Sequence, residues 1–123
     1  MEAVHQIGVL GGGSFGTTVA KVLSENGYPV RVWMRDPEQA ELIRTQHENP
    51  RYFPGVELSP LIEPTTDIGA AISDRDLVLV ALPSKVFRTV IHEYAHYFSP
   101  GQMVVSTTKG IERDGFRLMS EVL

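Results

Sequence analysis

Short apolar runs alternate with longer amphipathic segments along this chain. The runs have the composition of buried strands, and they occupy residues 5–10, 30–34, 76–82 and 102–108. The segments between them have helical spacing, at residues 14–26, 37–48 and 84–98. Strands that alternate with helices predict an α/β domain, in which a doubly wound, mostly parallel sheet has helices on both faces.

Weaker signals complete the pattern. Residues 61–63 predict an edge strand, and Thr65 to Asp67 are expected to begin a short helix through Ile72. Residues 49–55 predict a loop because prolines and a glycine interrupt the helical spacing. A last helix is expected from Gly115 to Leu123, where the chain ends.

The apolar residues of two helices predict which face packs inward. In the first helix these residues are Phe15, Val19, Val22 and Leu23. In the helix at 84–98 they are Val86, Phe87, Val90, Ile91, Tyr94 and Phe98.

Three glycines follow the first strand with the spacing G-x-G-x-x-G and lead into the first helix. Gly11 would allow a tight turn, Gly13 would leave room for a pyrophosphate against the backbone, and Gly16 would let the helix pack close to the strand. The free N–H groups at the start of such a helix favour negative charge. This strand–turn–helix context predicts a dinucleotide-binding, Rossmann-like fold.

The end of the second strand bears on the choice of cofactor. An acidic residue there favours NAD, whereas an arginine can accept the 2′-phosphate of NADP. Asp36 is better explained as a helix cap, because Asp36-Pro37-Glu38-Gln39 has an N-cap, a proline at the first helical position and a capping partner. Arg35 has the charge and fork geometry that match a phosphate. We therefore expect NADP(H) to be preferred and NAD(H) to be tolerated.

Other candidate residues follow the strands or lie in the central loop. Pro83 and Lys109 come after the strands at 76–82 and 102–108, where ligands gather in open α/β sheets. Lys109 could bind an anionic substrate or polarise a carbonyl. Tyr52 could stack on a base or a sugar, although loop aromatics more often pin the loop to the core.

The segment from His92 to His96 reads H-E-x-x-H, the pattern of zinc proteases. We do not expect zinc here, because the histidines lie away from the apolar face and the helix ends directly after them. Glu112 is the one downstream acid that could act as a third ligand, and it lies beyond another strand. A solvated histidine pair is the simpler interpretation.

Composition narrows the function classes. The 123 residues are enough for one domain, and the net charge of −4 gives no general attraction to nucleic acid. No apolar run is long enough for membrane insertion, and no signal peptide is recognisable. The chain contains no cysteine, which fits a cytoplasmic location.

Five segments occur in an order that points to one family. They are Gly11 to Thr17, Trp33 to Pro37, Asn49 to Gly55, Val80 to Ser84, and Thr107 to Glu112. Together they resemble the amino-terminal domain of bacterial NAD(P)-dependent glycerol-3-phosphate dehydrogenase, over nearly the whole chain. The resemblance implies reversible reduction of dihydroxyacetone phosphate, a small phosphorylated substrate, to sn-glycerol 3-phosphate for phospholipid synthesis.

The same resemblance implies roles for individual residues. Ser14 and Phe15 would contact the cofactor from the glycine loop, although the family often has tryptophan where Phe15 stands. Arg35 would meet the adenosine end, Tyr52 would line the site, and Lys109 would touch both cofactor and substrate.

The resemblance also implies that the chain is one part of an enzyme. The family's general-base lysine and most substrate contacts lie in a helical carboxyl-terminal domain, which residues 1–123 do not contain. We expect residues 1–123 to form one NAD(P)-binding domain that binds its cofactor without useful turnover. The complete enzyme is expected to be a homodimer.

Three other functions stay open on the residues alone. A β-hydroxyacid or ketopantoate-type dehydrogenase would share the glycine loop but not the segments at 49–55 and 107–112. A non-catalytic module would bind NAD(P) and lack a site for the hydride acceptor. A metalloprotein would hold zinc through His92 and His96.

Overall fold

The computed structural model describes residues 6–106. Five strands and four helices alternate along this part of the chain. Their bounds are β1 Ile7–Leu10, α1 Ser14–Glu25, β2 Val30–Trp33, α2 Pro37–Gln46, β3 Ile62–Thr65, α3 Ile68–Ile72, β4 Leu77–Val80, α4 Ser84–Tyr94 and β5 Met103–Ser106. A single 3-10 turn, Ala95–Tyr97, follows α4.

The five strands form one parallel sheet in the order β3-β2-β1-β4-β5. Strand β1 is central, and its last residue, Leu10, pairs with Trp33 of β2 and Val80 of β4. The carboxyl ends of these three strands therefore lie side by side. The chain crosses from one edge of the sheet to the other side between β3 and β4, which leaves a crevice where ligands bind in open α/β folds. The predicted fold class is confirmed.

Two hydrophobic clusters cover the two faces of the sheet. On one face, Ile7 and Val9 of β1 pack with Ala20 of α1 and with Ala40 and Ile43 of α2. On the other, residues of β1 and β4 pack against α3 and α4. That second cluster includes Leu10, Val78, Val80, Ala71, Ile72, Phe87, Val90 and Ile91. Both faces of the parallel sheet are thus buried, as its apolar strands require.

The edge strand β3 and the helix after it differ from their prediction. The strand continues to Thr65, and α3 begins only at Ile68. Asp67 is the N-cap, and its carboxylate accepts hydrogen bonds from the N–H groups of Gly69 and Ala70. Pro64 pairs with Val32 of β2 and is tolerated in β3 because an edge strand needs hydrogen bonds on one side only.

The predicted inward face of α1 is partly wrong. Phe15 and Val22 are 55% and 52% exposed, while Val19 and Leu23 only border the core. The buried residues are instead small: Gly16, Thr17, Ala20 and Ser24. A Cβ atom on Gly16 would lie 1.9 Å from the carbonyl oxygen of Gly11. Helix α1 therefore packs through its smallest side chains, because its backbone lies against the start of the glycine loop.

The predicted inward face of α4 is confirmed. Phe87, Val90 and Ile91 are buried, and Val86, Tyr94 and Phe98 pack against the same cluster. The α-helix itself ends at Tyr94. No helix within residues 6–106 is long and apolar enough to cross a membrane. The predicted helix at 115–123 and the end of the predicted strand at 107–108 lie outside the described residues.

The contact at Gly16 generates a stability prediction. Substitution Gly16→Ala should lower the free energy of unfolding by about 2–3 kcal/mol, because the added methyl group must push two backbone segments apart. Urea denaturation followed by circular dichroism measures this loss. Gly101→Ala is the matched control, since nothing lies within 4 Å of its added Cβ. Equal stability of the two variants would contradict the close packing described here.

Candidate cofactor-binding site

A cleft of about 350 Å³ opens at the carboxyl ends of β1, β2 and β4. Three strand ends form its floor and sides: Gly11–Gly13 after β1, Trp33–Asp36 at the end of β2, and Ala81–Pro83 after β4. Gln39, Arg51 and Tyr52 complete the lining. The cleft therefore lies at the crevice between the two halves of the sheet.

The three glycines of the motif meet different surroundings. Gly11 has a φ of 125°, and a Cβ there would lie 2.4 Å from the carbonyl oxygen of Ala81. Gly16 is in backbone contact with Gly11, as described above. A Cβ on Gly13, in contrast, would meet nothing within 4 Å. Gly11 and Gly16 are thus required by the protein itself, whereas the space beside Gly13 is free for a ligand.

The start of α1 adds an electrostatic feature to this corner. Gly13 is the N-cap residue and has no side chain to accept a hydrogen bond from the first turn. The first N–H groups of a helix have no partner within the helix, and they carry the positive end of its dipole. Ser14 and Phe15 are exposed at this first turn. The corner can therefore hold an anionic group through main-chain donors.

Asp36 and Arg35 have separate tasks. The carboxylate of Asp36 accepts a hydrogen bond from the N–H of Glu38 at 2.9 Å, and Pro37 is the first residue of α2. The capping role predicted for Asp36 is confirmed. Arg35 is exposed, and the ion pairs found within residues 6–106 do not involve it. Its guanidinium is available to an anion.

Arg35 also borders a second crevice. This space of about 360 Å³ is lined by Trp33, Arg35 and the side of α4 that carries Lys85, Thr89 and Glu93. Trp33 and Arg35 therefore separate it from the glycine cleft.

The loop at 49–55 brings one aromatic residue to the cleft and turns the other inward. Tyr52 is 39% exposed and lines the cleft, while Phe53 is half-buried. The N–H groups of both residues donate to the carbonyl oxygen of Asn49, at 3.1 and 2.7 Å. Tyr52 is thus placed to contact a ligand, whereas Phe53 does not line the cleft.

Sequence reasoning missed a buried polar cluster behind the glycine loop. Asn49 is fully buried, and its amide nitrogen donates to the carbonyl oxygen of Gly12 at 3.2 Å and to the hydroxyl of Thr17 at 2.8 Å. Gln39 donates to the same Gly12 oxygen at 2.7 Å and to the side-chain oxygen of Asn49 at 3.2 Å. The hydroxyl of Thr17 also donates to Gly12, at 3.3 Å.

This cluster corrects one expectation from the sequence. The predicted helix start allowed Gln39 to act as the capping partner of Asp36. Its side chain is instead 8% exposed and turned toward the glycine loop. A glutamine at the third helical position is typical of a capping box, so the sequence offered a local explanation and no signal for the distant one.

The H-E-x-x-H segment does not lie on one α-helix. His92 belongs to α4, whereas His96 belongs to the 3-10 turn and packs its ring 4.3 Å from that of Tyr97. Within residues 6–106 there is no group of three or more metal-ligating side chains. Glu112 lies outside the described residues.

Pro83 and Lys109 are the two residues predicted to follow strands beside the cofactor. Pro83 is exposed at the start of α4 and lines the glycine cleft. Lys109 lies outside the described residues. Its predicted contact with substrate and cofactor stays a prediction.

A further crevice lies near the amino ends of the strands, where Arg31 and Arg75 are neighbours. Arg31 forms an ion pair with Glu63 and donates to the carbonyl oxygen of Ala70 at 2.8 Å. Burial, and then the positive charge of Arg31, lower the pKa of Arg75. This crevice lies at the opposite ends of the strands from the glycine loop and shares no lining residue with the glycine cleft.

The proteins that this chain resembles are enzymes named for their use of NAD(P), as the glycine cleft leads one to expect. Residues 6–123 match a family described as the NAD-dependent glycerol-3-phosphate dehydrogenase N-terminus. A glycerol-3-phosphate dehydrogenase [NAD(P)+] of Pseudomonas fluorescens is 56% identical over 123 residues, which are 100% of this chain and 36% of that protein. One from Azotobacter vinelandii is 54% identical with the same coverage. The chain thus spans about a third of the length of these relatives.

Solved structures give the same result. A glycerol-3-phosphate dehydrogenase of Saccharomyces cerevisiae has a TM-score of 0.80 and 27% identity, over 87% of this chain and 34% of that one. The enzyme of Coxiella burnetii has a TM-score of 0.78 and 27% identity, over 97% of this chain and 36% of that one. On its family match over residues 6–123, the chain belongs to the NAD-dependent glycerol-3-phosphate dehydrogenase family and corresponds to its amino-terminal part.

Proposed function

We propose that residues 1–123 form the NAD(P)-binding domain of an enzyme that interconverts dihydroxyacetone phosphate and sn-glycerol 3-phosphate. The observation that carries this proposal is the open space beside Gly13 at the start of α1, in a chain of this family. A diphosphate needs bare main chain with free N–H groups, and this corner offers both. The activity of the complete enzyme, its substrate and its partners are part of the proposal.

The residues around the cleft fit the two ends of a dinucleotide. Gly13, Ser14 and Phe15 would hold the diphosphate, and Arg35 would bind the adenosine end. Tyr52 and Pro83 would border the bound cofactor. When bound, the nicotinamide supplies a hydride to the ketone carbon of the substrate.

Lys109 has the chemical task on this chain. Its ammonium group would bind the phosphorylated substrate and stabilise negative charge on the carbonyl oxygen. By analogy with the family, a second lysine outside residues 1–123 would move the proton. The division of tasks means that this domain positions the cofactor, whereas the rest of the enzyme completes the substrate site.

Several finer features stay predictions from the sequence and its resemblance. They are the preference for NADP(H) over NAD(H), a homodimeric complete enzyme and a cytoplasmic location. The net charge of −4 still gives no reason to expect a nucleic-acid partner.

The corner at Gly13 can be tested by adding one methyl group. Gly13→Ala should keep the stability of the wild-type chain, because its Cβ meets nothing within 4 Å. The dissociation constant for NADPH should rise about tenfold or more, because the methyl group holds the phosphates away from main-chain donors. Calorimetric titration measures the affinity, with Gly101→Ala as the control. Unchanged affinity in a folded Gly13→Ala variant would contradict the proposed diphosphate site.

Arg35 can be tested by comparing two cofactors. Arg35→Ala should weaken NADPH binding by about 1–3 kcal/mol, the size of a charge-assisted contact, and should leave NADH binding nearly unchanged. The control is Arg44→Ala, which removes an exposed arginine of α2 that pairs with Glu41. An equal loss for both nucleotides would show that Arg35 does not bind the 2′-phosphate.

The division of tasks predicts binding without catalysis. The 123-residue chain should bind NADPH, yet it should not oxidise it when dihydroxyacetone phosphate is added. The reaction is followed by the loss of NADPH absorbance, and the complete Pseudomonas fluorescens relative is the positive control. Turnover by the 123-residue chain at a rate near that of the control would refute this part of the proposal. A chain that binds neither NADPH nor NADH would refute the cofactor site itself.

A further inference from the structure

The carbonyl oxygen of Gly12 accepts three side-chain hydrogen bonds, from Thr17, Gln39 and Asn49. The donors come from α1, from α2 and from the loop after α2, so the contact joins segments that are up to 37 residues apart. Gly12 itself is buried, and a Cβ there would lie 2.9 Å from the Cβ of Met34. The protein therefore directs several polar groups to one main-chain atom beside the cleft.

This arrangement determines the direction of the Gly13 N–H, which belongs to the same peptide unit as the Gly12 oxygen. The bond between Gly12 and Gly13 is trans, since the structure contains no cis peptide bond among the described residues. In a trans peptide the C=O and N–H bonds point in opposite directions. Because the Gly12 oxygen is held toward the buried cluster, the N–H of Gly13 is directed away from it. The open space of the cleft lies beside Gly13.

Asn49 connects this peptide to the loop that lines one side of the cleft. Its side chain holds Gly12, while its main-chain oxygen accepts hydrogen bonds from the N–H groups of Tyr52 and Phe53. Tyr52 and the neighbouring Arg51 both line the cleft. One buried residue thus fixes both the glycine corner and the turn that faces it.

We propose that Asn49, with Gln39 and Thr17, is a positioning residue for cofactor binding. It orients the Gly12–Gly13 peptide so that the N–H of Gly13 faces the diphosphate before the cofactor arrives. Preorganised donors bind more tightly than donors that must first be ordered. The inference rests on the proposed function, because the ligand whose diphosphate meets Gly13 is NAD(P)(H).

A purely structural role for Asn49 is the competing explanation. A fully buried amide with every polar atom paired stabilises the fold wherever it lies, and its removal leaves partners unsatisfied. Such a role lowers the folded fraction and leaves the environment of Gly13 in the folded molecules unchanged. The two explanations therefore differ in whether the environment of Gly13 changes in folded molecules that lack the Asn49 side chain.

The experiment uses the 123-residue chain and NADPH as the probe. Asn49→Ala should bind NADPH about tenfold more weakly at a temperature where circular dichroism shows it to be folded. The shift of the Gly13 amide signal on NADPH addition, measured by NMR, should be clearly smaller than in the wild-type chain. The matched control is Asn26→Ala, which loses an exposed side chain that bonds Val22 at the end of α1. This control should keep wild-type affinity and the wild-type Gly13 shift.

A second variant covers the case in which Asn49→Ala does not fold. Thr17→Val removes one hydroxyl of the cluster and nearly preserves the shape of the side chain. It should weaken NADPH binding about threefold, since one of three bonds to Gly12 is lost, and Thr17→Ser should restore the affinity. Wild-type affinity together with a wild-type Gly13 shift in the folded variants would overturn the positioning role. A wild-type chain that fails to bind NADPH would instead refute the proposed function.

Discussion

The close approach of two helices to the central strand is the constraint on which the rest of this structure depends. A Cβ atom on Gly8 would lie 2.0 Å from the carbonyl oxygen of Ala71 in α3, and one on Gly16 would lie 1.9 Å from that of Gly11. The backbone of α3 therefore contacts β1 at Gly8, and the backbone of α1 contacts Gly11, the residue after the strand. Because α1 lies this close, its first turn begins directly above the end of β1. The corner proposed to hold the diphosphate is thus a consequence of packing as much as of local turn chemistry.

The strands and most helices could be predicted because their signals are local. The run from 77 to 82 is apolar, since β4 is covered on both faces, and the structure has β4 at Leu77–Val80. The Asp36-Pro37 start of α2 was predicted from side-chain chemistry that acts within one turn. Boundaries were less reliable where context decided them. The predicted edge strand ended at residue 63, whereas β3 continues through Pro64 to Thr65, which is acceptable because the strand lies at the sheet edge.

The local sequence pattern could not predict the buried face of α1 or the polar cluster behind the glycine loop. Phe15 and Val22 have the spacing of an inward face, yet the backbone contact at Gly16 selects the small side chains instead. In the sequence, Asn49 belongs to a loop with prolines and Gln39 to the first turn of a helix, and both look like ordinary local features. Their partner, the oxygen of Gly12, is 37 and 27 residues away in the sequence. Polar residues buried by distant contacts leave no periodic signal, so three-dimensional structure is needed to find them.

Two neighbouring residues beyond the end of β2, Arg35 and Asp36, differ in what they contribute to the fold, and this difference has an evolutionary consequence. Asp36 caps α2, whereas Arg35 beside it is exposed and has no part in the ion pairs within residues 6–106. Mutations at position 35 therefore leave the helix cap intact and carry little penalty in stability. Under the role proposed for Arg35, a lineage could change its nucleotide preference by single substitutions at position 35, because Asp36 alone supplies the helix cap.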